Sequence, residues 1–292
     1  MQDVAALPAS VTAAGNRSLR RFRRHRLAVF GVLVIVLLIL ASAIGPSLLP
    51  FDDLRIDVRH RFEAPFMSAH VFGTDQLGRD LLARLLMAGR ISLSVGFSAM
   101  VISVLFGTVV GSVAGYYGGW LGAVLMRIVD AILCFPQVFL LLALAAFIKP
   151  SVPMITLIIA ATAWMEVARI VQNQIRSLRE RDFAVAALMV GASDLTIMFR
   201  ELVPNVIGAI VVAATLTVAR AILMESYISF LGYGIQPPMA SWGNMLNNAQ
   251  QYLTSAPWLA IFPGLMITLA VASFNFVGDG LRDALDARMD LH

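Results

Sequence analysis

Long uncharged intervals constrain this chain more than any motif does. Residues 27–51 run for 25 positions without a charge, 91–126 for 36, 131–148 and 202–219 for 18 each, 150–165 for 16, and 226–278 for 53. A bilayer core of about 30 Å takes roughly 20 helical residues at about 1.5 Å each. With 59% hydrophobic and only 14% charged residues, against about 25% charged in an ordinary soluble domain, the chain is not a soluble globule. Disorder, coiled coil and collagen are excluded as well.

The sequence therefore predicts an all-α polytopic membrane protein with six transmembrane helices. Residues 1–26 form an Arg-rich N-terminal tail, expected to be cytoplasmic because Arg17, Arg20, Arg21, Arg23, Arg24 and Arg26 precede the first span at 27–48. A cleaved signal peptide competes with this reading, but the apolar run is too long and lacks a small-x-small cleavage site. Residues 49–88 are expected outside, with an interfacial helix around 80–91 in which Asp80 and Arg84 lie one turn apart. A core over 89–280 then holds spans near 91–114, 127–148, 150–171, 205–227 and 258–277, with a cytoplasmic loop at 172–204. The polar stretch 236–255 reads as an outside loop, and 281–292 as a cytoplasmic C-terminal tail. Six arginines in residues 52–90 run against the positive-inside bias, which the span count and the basic N-terminus outweigh.

The charges that remain exclude several functions. No broad basic face is available for nucleic acid, and Lys149 is the only lysine, placed outside any Gly-rich loop. No G-x-x-x-x-G-K-[ST] occurs, so a Walker-type ATPase site is not expected, and any ATP would be used by partner subunits. The single Cys134 permits no internal disulfide and is expected in core packing. His25, His60, His70 and His292 all lie in tails or in the first loop, so no nucleophilic triad or metal set is expected, and no cofactor either.

Three constellations stand out. Residues 182–194 and on to Pro204 read as two short helices joined at a break: Gly191 ends the first, Ser193 or Asp194 caps the second, and Pro204 opens the next span. Small Ala186 and Ala187 leave room for close approach by another surface, although packing on the chain's own bundle fits equally well. Before the second span, Gly73, Asp75, Gly78, Arg79, Asp80 and Arg84 read either as an ion-paired helix start or as a rigid external elbow. In the fifth span Arg220 and Glu225 lie five apart in apolar sequence, where each unpaired charge costs about 2.5–3.5 kcal/mol. They pair with each other or face a translocation path, and Arg127 with Asp130, three apart, reads as a structural pair.

Residues 185–204 resemble the cytoplasmic E-A-A-x-x-x-G loop, ending near L-P, of permease subunits of bacterial binding-protein-dependent ABC importers. Ala186, Ala187, Gly191 and Pro204 keep the spacing, whereas Val185 stands where the family has Glu, and Glu201 and Val203 where it has Ile and Leu. Two further stretches resemble the second permease of dipeptide, oligopeptide and nickel importers. They are Phe72-Gly73-Thr74-Asp75-Gln76-Leu77-Gly78-Arg79-Asp80, and Ser229-Phe230-Leu231-Gly232-Tyr233-Gly234-Ile235-Gln236-Pro237-Pro238 with Ser241-Trp242-Gly243. Gly278-Asp279-Gly280-Leu281-Arg282-Asp283 extends the likeness, and the family's D-P-R ending appears as Asp286-Ala287-Arg288.

The resemblance implies a type I ABC importer permease fold and half of a pore for di- or oligopeptides in the bacterial inner membrane. It also implies a second homologous permease, two ABC ATPase subunits on the cytoplasmic face whose ATP-driven closure is transmitted through residues 182–204, and an extracytoplasmic substrate-binding protein. A nickel or metal-chelate permease is the alternative within the family. An ion-coupled carrier using Asp130, Arg220 or Glu225 is the alternative from outside it, and a membrane scaffold without transport is a weaker third.

Overall fold

The computed structural model describes residues 19–147 and 149–285, so the expectations for residues 1–18 and 286–292 fall outside the described residues. Nine principal helices run in order: α1 (Arg26–Leu48), α2 (Leu81–Tyr117), α3 (Gly119–Leu133), α4 (Gln137–Ala146), α5 (Val152–Arg179), α6 (Asp182–Met189), α7 (Val203–Phe230), α8 (Trp242–Ala249) and α9 (Trp258–Leu285). Residues 19–24 are also helical, short helical turns lie at Val58–His60, Asp194–Thr196 and Gln250–Tyr252, and Ile197–Leu202 is a π-helical stretch. Among the described residues the one strand-like feature is an isolated bridge between Thr74 and Asp80.

Local chemistry sets the helix starts. His25 caps α1 by accepting from Ala28 N at 3.1 Å, Asp80 caps α2 by accepting from Ala83 N at 2.7 Å, and Ser151 caps α5 through Met154 N at 3.3 Å. Pro204 sits in the first turn of α7, directly after the π-helical stretch Ile197–Leu202, whose wider turn accommodates the missing N–H.

Five helices are long and apolar enough to cross a membrane, and α3 with α4 supplies a sixth if the two are counted as one broken span. Here the structure corrects the straight span expected at 127–148: the pair bends by 82° at Cys134, Phe135 and Pro136. Pro136 cannot donate into a continuing helix and clashes with the turn before it. Cys134 is accordingly exposed at the bend rather than packed in the core.

The expected interfacial helix near 80–91 is instead the first part of α2, an unbroken helix of 37 residues that is about 55 Å long at ~1.5 Å per residue. That exceeds the roughly 30 Å of a hydrocarbon core, and the 49–80 segment packs against its first turns, with Arg84 donating to the Asp53 carbonyl and Leu81 N to that of Gly73. The expected outside loop at 236–255 contains α8, whose Trp242 is 1% exposed and packs with Leu85, Leu259 and Ile267.

The central contact is between α2 and α5. A Cβ on Gly107, Gly111 or Gly115 would lie 2.6, 2.4 or 2.7 Å from the backbone oxygen of Trp164, Ala168 or Gln172 respectively. Small residues every fourth position let the two backbones touch, which is how helices associate where lipid gives no hydrophobic drive. On the other side of the bundle α1 lies against α9, with Gly31 close to the Ser273 carbonyl.

Gly111→Leu should separate α2 from α5 and destabilise the chain by about 1–3 kcal/mol or more, the usual cost of overpacking. Thermal unfolding of the detergent-solubilised protein measures it. Val109→Leu, at a 47% exposed position on the same helix, should leave the midpoint unchanged.

Candidate functional site

The end of the bundle where α2 begins, the end expected outside, is a knot of buried charge. Asp75 Oδ1 accepts from Leu77 N at 2.8 Å and Arg79 N at 3.0 Å, while its Oδ2 accepts from Arg79 Nε at 2.7 Å and lies 3.6 Å from Arg84 Nε. Arg84, whose side chain is 3% exposed, also donates to the Asp53 carbonyl. Arg84 therefore pairs with Asp75 and not with Asp80 one turn before it. Asp80 is already committed to the α2 cap and to His70 Nδ1, 2.9 Å away.

Gly73 and Gly78 have φ of +77° and +75°, and a Cβ would fall 2.2 Å from the Glu63 carbonyl and 1.7 Å from that of Asp57. Only glycine fits both turns. At the exposed rim a hydrogen bond from His60 holds the Asp57 carboxyl below its ordinary range, and the same contact raises the His60 imidazole.

The knot is fastened to the rest of the outer end. Arg90 donates to the Ser42 and Ala43 carbonyls of α1, both at 2.7 Å, and Trp242 Nε1 donates to the Leu85 carbonyl at 3.1 Å.

Arg220 and Glu225 are not partners. Five residues turn a helix by about 500°, leaving the two about 140° apart around α7. Glu225 is 0% exposed and accepts from Ser92 Oγ at 2.9 Å and Ser229 Oγ at 2.8 Å. Those hydroxyls in turn accept from Trp242 N and Ile235 N, so one carboxyl ties α2, α7 and the entry to α8 together. Arg220 instead makes an ion pair with Glu166 of α5. Asp130 pairs with Arg169 of α5 rather than with Arg127.

The sequence does not single out Glu166 and Arg169 as site residues, because their partners lie 54 and 39 residues away along the chain. The available signal was that both acids and both arginines interrupt apolar sequence.

At the opposite end of the bundle, α6 and the turn after it have the expected break. Gly191 has φ +83°, Ser193 caps the following turn by accepting from Thr196 N, and Pro204 opens α7. Tyr116 Oη donates to Asp194 at 2.7 Å while the Arg179 guanidinium lies 5.6 Å over the Tyr116 ring, so the segment is anchored to α2 and α5. Between these groups and Val185 and Leu188 lies a cavity of about 880 Å³.

The two small residues face differently: Ala186 is exposed, whereas Ala187 is half-buried against the chain's own core. Beyond them Leu188, Met189 and Val190 are 58%, 84% and 89% exposed, which makes an apolar tip.

Residues 107–291 match the family described as binding-protein-dependent transport system inner membrane component, and residues 15–65 match the N-terminal TM domain of oligopeptide transport permease C. The chain belongs to this permease family. It is similar to the oligopeptide transport system permease protein OppC of Salmonella typhimurium, at 42% identity over 270 residues covering 92% of this chain and 89% of that one. It is likewise similar to OppC of Haemophilus influenzae, at 40% identity over 92% of this chain and 87% of that one. As a multi-pass permease of a bacterial ABC importer it resides in the inner membrane, and the family works with ATPase and binding-protein partners.

For such a permease, damage at the outer knot should appear as lost assembly. Gly78→Val and Asp75→Asn should each reduce the amount of assembled complex, the second by stranding Arg79 and Arg84, at about 3–5 kcal/mol for a broken buried pair. Co-purification of the other subunits from membranes, normalised to expression, measures this. Normal assembly with altered substrate preference would place the knot in the substrate path instead.

Proposed function

We propose that this chain forms half of the membrane path of a di- or oligopeptide importer, coupled to ATP-using partners through residues 185–204. The observation that carries the reading is the exposed apolar tip of α6 on a chain of this family. Val185, Leu188, Met189 and Val190 present a surface that water disfavours, mounted on a segment anchored by Tyr116, Asp194 and Arg179. An ATPase cleft is the occupant that fits it. With Val185 in place of the family's Glu, the contact rests on shape and apolar area rather than charge.

The complex we infer contains this chain, a second homologous permease, two ABC ATPase subunits and an extracytoplasmic substrate-binding protein. ATP is used by the partners, and no cofactor is assigned to this chain. Peptide cargo is favoured over nickel or a metal chelate because relatives at about 40% identity are described as oligopeptide permeases. In the orientation proposed, residues 49–80 and α8 lie outside, and both termini and α6 lie in the cytoplasm. Arg20, Arg21, Arg23, Arg24 and Arg26 before or at the start of α1, and Arg176, Arg179 and Arg181 near the end of α5, support that assignment.

Two measurements test this reading. In a Cys134→Ser background, Gln251→Cys, at an exposed position just after α8, should react with an impermeant thiol reagent from outside, and reaction from the cytoplasmic side alone would reverse the topology. Ala186→Trp and Val190→Asp should leave the chain inserted yet lower both ATPase co-purification and labelled-peptide uptake about tenfold, the factor that ~1.4 kcal/mol represents. Full uptake by both variants at normal expression would overturn the coupling assignment.

A further inference from the structure

Four charges interrupt apolar stretches and are not buried: Glu166, Arg169 and Arg220 lie in the interior of α5 and α7, and Asp130 lies in the last turn of α3 before the bend. In the pair Arg220–Glu166 the side chains are 53% and 47% exposed, and in Arg169–Asp130 they are 48% and 46% exposed. Hydrocarbon does not accept such groups, so the face that carries them meets water or protein.

Burial along α5 shows where that face opens. In its outer half Ile155, Ile158, Ile159 and Thr162 are buried, and Leu141 and Ala145 of α4 belong to the same core cluster as the three isoleucines. Gln137, at the start of α4, donates to Thr162 Oγ1 at 3.1 Å. From Glu166 inward the same side of the helix is open, and Glu166, Arg169, Asn173 and Ser177 are all exposed. Ile170 and Leu216, one helical turn inward of Glu166 and Arg220, line a groove of about 700 Å³ between α5 and α7.

The four side chains also differ from Glu225 in how they are held. Glu225 is locked by two serine hydroxyls and fully buried. Among the described residues the Glu166 and Asp130 carboxylates each meet only their own arginine. Half-exposed pairs of this kind form and break at little cost.

We propose that Arg220–Glu166 and Arg169–Asp130 line the translocation path next to the segment of α5 that α4 covers, and that they pass a zwitterionic peptide inward by exchanging partners with its carboxylate and ammonium. This rests on the peptide-importer reading above. A peptide with two charged ends replaces both members of a pair at once, whereas an ion of one sign leaves the other member without a partner. The matched number of acids and arginines is the observation that favours a zwitterion.

The test uses the complete complex, with both permeases, the ATPases and the binding protein, in proteoliposomes. In the Cys134→Ser background, Glu166→Cys and Arg220→Cys should react with a small charged thiosulfonate in at least one nucleotide state, and saturating peptide should slow the reaction. Leu105→Cys, 64% exposed in the apolar middle of α2, should stay unreactive. Failure of both Cys variants to react in every state would place this face against the second permease or lipid and overturn the proposal.

Glu166→Gln and Arg220→Gln should retain binding-protein-stimulated ATP hydrolysis while peptide moved per ATP falls about tenfold, the loss expected for one charge-assisted hydrogen bond. Unchanged transport by both would likewise overturn it. If the unmodified complex moves no peptide, the importer reading itself fails, and the labelling pattern still reports whether this face is wet.

Discussion

The close approach of α2 and α5 is the contact on which the rest of the bundle is arranged. In lipid, apolar side chains gain nothing by leaving one apolar medium for another, so dispersion and backbone proximity must hold helices together. Gly107, Gly111 and Gly115 supply that proximity by placing the α2 backbone against the carbonyls of Trp164, Ala168 and Gln172. Once α5 is fixed there, its buried side packs with α2 and the core, and its other side is free to carry Glu166 and Arg169. The polar face and the glycine seam are thus two sides of one constraint.

Polar groups in this chain fall into two kinds, and the surroundings of each decide what it does. Asp75, Arg79, Arg84, Ser92 and Glu225 are buried and held by several partners, so they fix geometry. Arg220, Glu166, Arg169 and Asp130 are half-exposed and held by one partner each, so they can exchange it. A buried charge with many bonds is costly to move, and a half-wet pair is not. Residue type alone does not separate the two groups, since both contain arginines and carboxylates.

What the sequence made legible was whatever depends on neighbours along the chain. The turns at Gly73 and Gly78, the Gly191 break, the Ser193 cap and Pro204 at the start of α7 all follow from residues within a few positions, whereas Asp80, read with Arg84 as an ion-paired helix start, caps α2 instead. The family resemblance was legible for the same reason, because its motifs are contiguous. The partners of Arg220 and Asp130 were not, because an ion pair between helices depends on how those helices rotate against each other. Two local signals were present and went unused. Pro136 lies inside an apolar run and bends it, and the four-residue spacing of Gly107, Gly111 and Gly115 marks the seam.

The length of α2 has a mechanical meaning. One uninterrupted helix begins at the outer knot, capped by Asp80, and ends beside Tyr116, whose hydroxyl holds Asp194 at the other side of the membrane. A rod of about 55 Å pivoting at one end moves its far end by roughly 1 Å for each degree of tilt. Side-chain bonds fasten it at both ends. The helix therefore has the geometry of a lever, in which a small rotation at one end is a displacement the size of an atom at the other.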